Sequence, residues 1–176
     1  MHSEYALCLT YIHNETEEID MNDDMKSCNS KKHCSNNNAS SCKRTDKNTE
    51  MYFYKCEVCG QIVASTEDLV NPLSCCGEPM HILIPGTSDG AAEKHVPIYS
   101  IDGHNLIVTI GADPHPMTEE HYIEWICLVT CQGVQWHPLK PGVPPVACFR
   151  IKRDEQVMAI YEYCNIHGLW AYINEQ

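Results

Sequence analysis

Basic side chains are scarce in this sequence: 12 lysines and arginines stand against 24 aspartates and glutamates, for a formal net charge of −12. Nucleic acids and anionic membranes attract basic surfaces, so we expect neither as a main partner. No apolar run approaches the ~20 residues that span a bilayer. The first residues, MHSEYALCLTYIHNETEEID, also lack the basic start and apolar core of a secretory signal. We therefore expect a cytoplasmic protein.

Cysteine and histidine are abundant by contrast, with 12 and 10 copies respectively. In a secreted domain so many cysteines would indicate disulfides. In a reducing cytosol they indicate metal ligands or catalytic thiols, and the histidines strengthen the metal interpretation.

The first part of the chain, residues 1–50, differs from the rest in composition. Its first 24 residues are acidic and residues 26–47 are basic. The stretch SCNSKKHCSNNNASSCKRTDKN is rich in Ser, Asn and Lys. Such a segment buries too little apolar surface to offset its ordering entropy, so we expect a low-complexity, disordered extension. The stretch YALCLTYI (5–12) is the part that could pack. Cys28, Cys34 and Cys42 are irregularly spaced, and we interpret them as free thiols.

From Met51 onwards the pattern becomes typical of β-structure. Residues 51–86 form one predicted unit around two cysteine pairs, and a linker-like TSDGAAE opens a second domain, 87–176. That domain contains short apolar runs separated by turn sequences such as DPHP and KPGVPP, at the spacing of a β-sandwich. There is no long segment with helical periodicity and no internal repeat. We expect a mainly β protein.

Four cysteines of the 51–86 unit form the first candidate metal site. In KCEVCG the C-x-x-C spacing lets two thiolates reach one ion, and the glycine permits the turn. The second pair is adjacent, which is unusual for structural zinc because neighbouring residues on one metal strain the backbone. Four thiolates suit zinc or iron, and the residues alone leave both metals open. The ligands would be Cys56, Cys59, Cys75 and Cys76.

The stretch YKCEVCGQIV together with CCGEPM resembles desulforedoxin, a small protein with one FeS4 centre. This resemblance covers residues 52 to about 80 and implies iron, held by C-x-x-C and an adjacent Cys-Cys pair.

A second candidate metal site combines histidines near strand ends with a C-x-x-H motif. Each histidine alone is more often a surface or core residue, but their conjunction is harder to dismiss. Imidazoles suit iron, zinc or copper, and a thiolate adds a strong electron donor. Four imidazoles and one thiolate would leave one of six iron positions open for chemistry. The residues are His95, His115, His121, Cys164 and His167.

The stretches EKHVP, HPMTEEH and CNIHGLW, with the WI of EWICL, resemble the active-site motifs of superoxide reductases. With the cysteine unit, the chain from about residue 52 resembles the two-iron form of that family, desulfoferrodoxin. The resemblance implies a seven-stranded immunoglobulin-like β-sandwich following the desulforedoxin-like unit. It also implies two non-haem iron ions per chain: FeS4, and a catalytic iron with four equatorial imidazoles and axial Cys164.

The resemblance further implies a reaction, the one-electron reduction of superoxide to hydrogen peroxide. Lys94 and Glu93 would form a mobile catalytic pair: Lys94 attracts the anion and helps to deliver a proton, and Glu93 occupies the open iron position afterwards. The FeS4 centre would transfer electrons from rubredoxin or another small donor. A homodimer that detoxifies superoxide under oxidative stress is expected.

Two alternatives differ from this interpretation. One is a zinc ribbon joined to an immunoglobulin-like binding module, without catalysis. The other is a superoxide dismutase, which also oxidises superoxide and needs no external reductant.

Overall fold

The computed structural model describes residues 50–175. The predictions made for the extension, including the thiols Cys28, Cys34 and Cys42, lie outside the described residues. Within the described range the regular secondary structure is almost entirely β-strand, and none of the described helices is long and apolar enough to cross a membrane.

The cysteine-containing unit consists of five short antiparallel strands. Three of them form a sheet in the order β2-β1-β5, and the other two form a small hairpin, β3-β4. The aromatic and β-branched sequence of β1 and β2 favours this extended pairing. The bounds are β1 Tyr52–Lys55, β2 Ile62–Ser65, β3 Ser74–Cys75, β4 Glu78–Pro79 and β5 His81–Leu83.

The rest of the described chain begins with a one-turn helix and continues as seven strands in two antiparallel sheets. The sheet orders are β10-β7-β6 and β12-β11-β8-β9. This agrees with the predicted seven-stranded β-sandwich, so the fold prediction is confirmed. The bounds are α1 Ala92–His95, β6 Pro97–Asp102, β7 Asn105–Ile110, β8 Ile123–Thr130, β9 Gly133–Pro138, β10 Val146–Arg150, β11 Val157–Cys164 and β12 Gly168–Ile173.

The four-stranded sheet is covered on both faces, which explains why β8 and β11 lack polar alternation. One face packs against β7 and β10 in a core that includes Leu106, Phe149 and Ile160. The opposite face packs against β1 through Phe53, which is fully buried. A strand buried on both sides carries apolar residues at nearly every position. All eight residues of β11 are accordingly buried.

Aromatic contacts join the cysteine unit to the outer face of the sandwich. Phe53 stacks on Trp125 at 5.4 Å between ring centroids and lies 5.0 Å from the Tyr161 ring. Aromatic pairs of this kind contribute about 0.5–1.5 kcal/mol each beyond the area they bury. The predicted domain limits, 51–86 and 87–176, stay a prediction.

Candidate metal centres

The four predicted cysteines of the first unit converge, with sulfur atoms within 4.8 Å of one another. Cys56 and Cys59 lie on the turn after β1. That turn is closed by a hydrogen bond from the Gly60 N–H to the Cys56 carbonyl, 2.8 Å long. Gly60 has φ = 75°, a left-handed conformation that glycine adopts without steric cost. The second pair lies on the β3-β4 hairpin, so two tight turns supply all four thiols.

The adjacent cysteine pair is accommodated by backbone strain. Cys76 has φ = 54° and is the one non-glycine residue with positive φ in the range 50–175. Such a conformation costs about 1–3 kcal/mol, and persists when the surrounding structure determines it. It lets the sulfurs of Cys75 and Cys76 lie 3.9 Å apart on the same side of the hairpin. The strain expected from an adjacent pair is therefore present in the geometry.

The four thiols are electrostatically unequal. Backbone N–H donation from Cys59 lowers the pKa of Cys56 to about 7, although burial opposes the shift. Hydrogen bonds with Cys59 and Cys56 raise the pKa of Cys75 to about 12. Four thiolates this close repel one another unless a cation lies between them. The sulfur donors therefore fit a thiophilic ion such as iron or zinc, held with no coordination position left open.

In the sandwich, the predicted imidazoles and thiolate also come together. His167 Nδ1 lies 3.0 Å from His95 Nε2, 3.2 Å from His121 Nε2 and 3.6 Å from Cys164 Sγ. Potential ligand atoms of His95, His115, Cys164 and His167 lie within 4.8 Å of one another. His121 joins the group through His167. Five donors on three different parts of the sandwich thus face one small volume.

His115 shows that this volume fits a metal ion. Its Nδ1 lies 2.6 Å from the Pro116 carbonyl oxygen, so Nδ1 carries the proton and donates the hydrogen bond. Its Nε2 is then a bare lone pair, buried and without a hydrogen-bond partner. A buried polar atom without a partner is costly, and a metal ion would satisfy it. Four imidazoles with one thiolate suit iron, with one position left open.

Burial keeps these imidazoles in the neutral form that binds metals. Burial, with a smaller contribution from neighbouring imidazoles, lowers the pKa of His95 to about 3. Burial also lowers the pKa of His115 to about 4, opposed by its hydrogen bond to the Pro116 carbonyl. Burial also lowers the pKa of His121, which is more exposed than His95 and His115. Neutral nitrogens are available without competition from protons near pH 7.

Sequence reasoning missed a buried carboxyl group behind the second centre. Glu162 is fully buried, and its Oε1 accepts a hydrogen bond from His95 Nδ1 at 3.0 Å. Burial raises its pKa well above the ordinary value. This contact fixes the tautomer of His95 and directs Nε2 toward the other ligands. Only its position in the sequence could have indicated this role: Glu162 is two residues before Cys164, so both side chains lie on the same face of β11.

The C-x-x-H motif lies on the tight turn that ends β11. Cys164 pairs with Gly168, whose φ of 71° closes the turn, so both the thiol and His167 can face the same side. Asn165 ties this turn to the loop that carries His121. Its side chain accepts from the Tyr122 N–H at 3.0 Å and donates to the Glu120 carbonyl at 2.9 Å. Three ligands are thereby fixed relative to one another.

Glu93 and Lys94 lie on α1, immediately before His95, and both side chains are exposed. The charge of Lys94 contributes to the lowered pKa of His95, after burial and the neighbouring imidazoles. The Asp113 N–H donates to the Glu93 carbonyl at 3.0 Å, and Gly111 lies so close to the helix that a Cβ there would be 2.6 Å from the Lys94 carbonyl oxygen. A cation and a carboxylate are therefore held next to the cluster. Neither forms a salt bridge with another residue in the described part of the chain.

Comparison with known proteins identifies relatives over the described range. A family model described as "Desulfoferrodoxin, N-terminal domain" matches residues 48–83, and one described as "Desulfoferrodoxin" matches 87–173. The chain is 50% identical over 119 residues to a desulfoferrodoxin of Nitratidesulfovibrio vulgaris, covering 67% of this chain and 92% of that protein. It is 36% identical over 101 residues to a superoxide reductase of Pyrococcus horikoshii, covering 48% and 88%.

A solved structure is similar over the same region. The superoxide reductase from Treponema pallidum superposes with a TM-score of 0.61 at 32% identity, covering 70% of this chain and 97% of that one.

Proposed function

The chain belongs to the desulfoferrodoxin family, and on that premise we propose that it is a superoxide reductase. The reaction consumes superoxide, one electron and two protons, and yields hydrogen peroxide. The observation that carries this function is the convergence of four imidazoles and one thiolate on a volume containing the unpartnered His115 Nε2. A thiolate ligand favours electron donation, and an incomplete ligand set leaves room for substrate.

The protein holds two iron ions. Four thiolates, from Cys56, Cys59, Cys75 and Cys76, hold the first. The second is held by His95, His115, His121, Cys164 and His167. Iron bound by these five residues would supply the electron that reduces superoxide, and iron bound by the four cysteines would supply electrons in turn.

We assign two supporting tasks to residues of this chain. Burial raises the pKa of the Cys164 thiol, and the nearby backbone N–H groups of His167 and Ile166 act in the opposite direction. A bound metal ion would complete the deprotonation. Glu162 holds His95 in the tautomer that presents Nε2.

Lys94 is proposed as the residue that attracts the substrate. The chain carries −12 overall, so an anion is repelled at long range and needs a local cation. Lys94 is exposed, precedes His95 and contributes to the field at three imidazoles. It also orders water that can deliver a proton to the reduced oxygen. Glu93 is proposed to occupy the open position once the product has left.

The electron donor is proposed to be rubredoxin or another small redox protein. The exposed Cys59 and Cys76 support this, because they place the edge of the first centre at the surface. We also propose a cytoplasmic homodimer that removes superoxide under oxidative stress. Oxidoreductase activity on superoxide follows from the family; these finer assignments are proposals.

Stoichiometry tests the function. Fully reduced protein is mixed anaerobically with superoxide, and peroxide and oxygen are measured. A reductase forms one peroxide for each superoxide and no oxygen. A dismutase forms one peroxide for every two, with oxygen and without donor consumption. A binding module leaves superoxide to decay as it does in buffer. Cys164→Ser is the control, since it removes the thiolate and is expected to abolish the reaction.

A further inference from the structure

A buried tryptophan lies beside the second centre, and the proposed reaction assigns it no task. Trp170 belongs to β12 and is directly opposite Glu162 of β11 in the strand register. Residues directly opposite in an antiparallel pair share one face of the sheet and lie next to each other. The indole therefore adjoins the carboxyl group that accepts the hydrogen bond from His95.

Trp170 contacts the flat face of the His95 imidazole. The two rings are stacked, with centroids 4.8 Å apart and an interplanar angle of 11°. The imidazoles of His115 and His167 instead meet His95 at 66° and 77°. Of these three rings, only the indole lies parallel to His95 and can hold the plane of its ring.

The plane of this ring decides where its free nitrogen points. Rotation of a histidine ring about its Cβ–Cγ bond is only loosely restrained by the side chain itself. The hydrogen bond from His95 Nδ1 to Glu162 restrains one point of the ring. The Nε2 lone pair lies in the ring plane, so a remaining tilt would turn it away from the other donors. A contact along the face of the ring removes that tilt.

Trp170 also contacts the turn that carries a second proposed ligand. Its Nε1–H donates a hydrogen bond of 3.3 Å to the carbonyl oxygen of His167. One side chain thus touches the ring of one donor residue and the backbone of another.

The loop before α1 leaves no spare room around this stack. A Cβ at Gly90 would lie 2.9 Å from the Trp170 ring and 3.0 Å from His95 Nε2. Gly90 does not have a positive φ, so the position needs glycine for space rather than for backbone conformation. A side chain there would displace the indole, the imidazole or both.

We propose that Trp170 is a positioning residue of the second centre: it sets the plane of the His95 imidazole and holds the turn of His167. The inference rests on the proposed function only in that the five donors hold a metal ion. Gly90 supports the arrangement by leaving the space that the stack occupies.

Tyr172 provides a matched control. It follows Trp170 by two residues on β12, so it lies on the same face of the strand. It is partly buried against the sandwich core and makes an aromatic contact of its own, 5.3 Å from the Tyr99 ring. It has no described contact with a proposed ligand. Leucine at either position removes one ring contact, but only Trp170→Leu frees His95.

The experiment measures release of iron from the second centre of the purified two-iron protein to a chelator. The FeS4 absorption serves as the internal reference. Trp170→Leu is expected to release this iron about tenfold faster, within the range known for residues that orient metal ligands. Trp170→Phe keeps a ring on His95 and loses only the Nε1–H, so release should be about threefold faster. Gly90→Ala should resemble Trp170→Leu, and Tyr172→Leu should match wild type.

Two further readouts separate positioning from packing. The electron paramagnetic resonance signal of the ferric second centre is expected to broaden in Trp170→Leu and to keep its wild-type shape in Trp170→Phe and Tyr172→Leu. The midpoint of thermal unfolding without metal is expected to fall by a similar amount in Trp170→Leu and Tyr172→Leu. A loss of packing alone would therefore accelerate iron release in both.

Three outcomes overturn the inference: equal iron release in Trp170→Leu and wild type, equal acceleration in Tyr172→Leu, or a Trp170→Phe variant no better than Trp170→Leu. A wild-type protein that holds iron at the five donors but does not reduce superoxide contradicts the proposed function instead, and the release rates still decide the role of Trp170.

Discussion

The two metal centres are built in contrasting ways. The first takes its four ligands from two short turns, and Cys59 and Cys76 are exposed. The second draws its ligands from α1, the loop before β8 and the turn after β11. His95, His115 and Cys164 are each buried. A site made of local turns keeps its geometry with few contacts to the rest of the protein. A site assembled from distant segments depends on the sandwich, and on contacts that fix each ligand.

The difference matches the chemistry expected of each centre. Four thiolates close the first coordination sphere, which suits a centre that only transfers electrons. The second centre combines neutral imidazoles, one thiolate and an exposed cation, which suits an anionic substrate. Its ligands are supported from behind by Glu162 and the Pro116 carbonyl. The contacts that fix ligand positions are therefore found at the centre where the substrate is proposed to bind.

The largest effect is expected from removing one cysteine ligand of the first centre. Cys75→Ser removes one of four thiolates and is expected to abolish the FeS4 absorption entirely. The reaction of the second centre with superoxide should persist, because the two ligand sets share no residue. Visible spectroscopy and pulse radiolysis measure the two properties on one sample. Loss of the superoxide reaction with the second iron still loaded would show that the centres are interdependent.

Weakening the support behind the second centre gives the next effect. Glu162→Leu removes the acceptor from His95 Nδ1 and is expected to lower iron affinity at that centre by about 10–100-fold. Glu162→Gln keeps an acceptor oxygen and should restore most of the affinity. Iron release to a chelator measures it, with the FeS4 absorption as internal control. Equal affinity in wild type and Glu162→Leu would argue that the sandwich alone positions His95.

A smaller, salt-dependent effect is expected at Lys94. The rate of the wild-type protein with superoxide should fall as ionic strength rises, because salt screens the attraction over roughly 8 Å under physiological conditions. In Lys94→Ala the rate should be lower, and its salt dependence should flatten or reverse. Lys94→Arg should behave like wild type. Glu93→Ala is the control and should change the ferric spectrum but not the encounter rate. Identical rates and salt slopes for wild type and Lys94→Ala would rule out the assigned role.

No effect on the centres is expected from deleting residues 1–50. The reason is that every proposed ligand lies at residue 56 or later, and that residues 1–50 are polar and carry irregularly spaced cysteines. Iron content and both visible spectra of the truncated protein measure this. A loss of iron would assign a structural role to the extension.

The same contrast explains what the sequence could predict. The first site could be predicted because C-x-x-C and Cys75-Cys76 lie close together in the sequence, and local spacing fixes local geometry. The seven strands could be predicted because turn sequences separate the apolar runs. The ligands of the second site could be grouped through the family resemblance, since spacing alone does not bring His95 near His167.

Contacts between distant segments could not be predicted. The sequence does not indicate that Glu162 meets His95, or that Asn165 holds the backbone around His121. TSDGAAE reads as a linker, but Gly90 lies against the second centre: a Cβ there would be 2.9 Å from Trp170 and 3.0 Å from His95. Long-range packing, rather than local propensity, decides each of these contacts.

Metal analysis of anaerobically purified protein measures whether both centres hold iron. We expect two iron ions per chain, with the absorption of an FeS4 centre and a separate absorption from the thiolate-ligated second iron. In Cys75→Ser the count should fall to one and only the second absorption should remain. One iron per chain in the wild type, or stoichiometric zinc at the four cysteines, would contradict the account of two iron centres with different tasks.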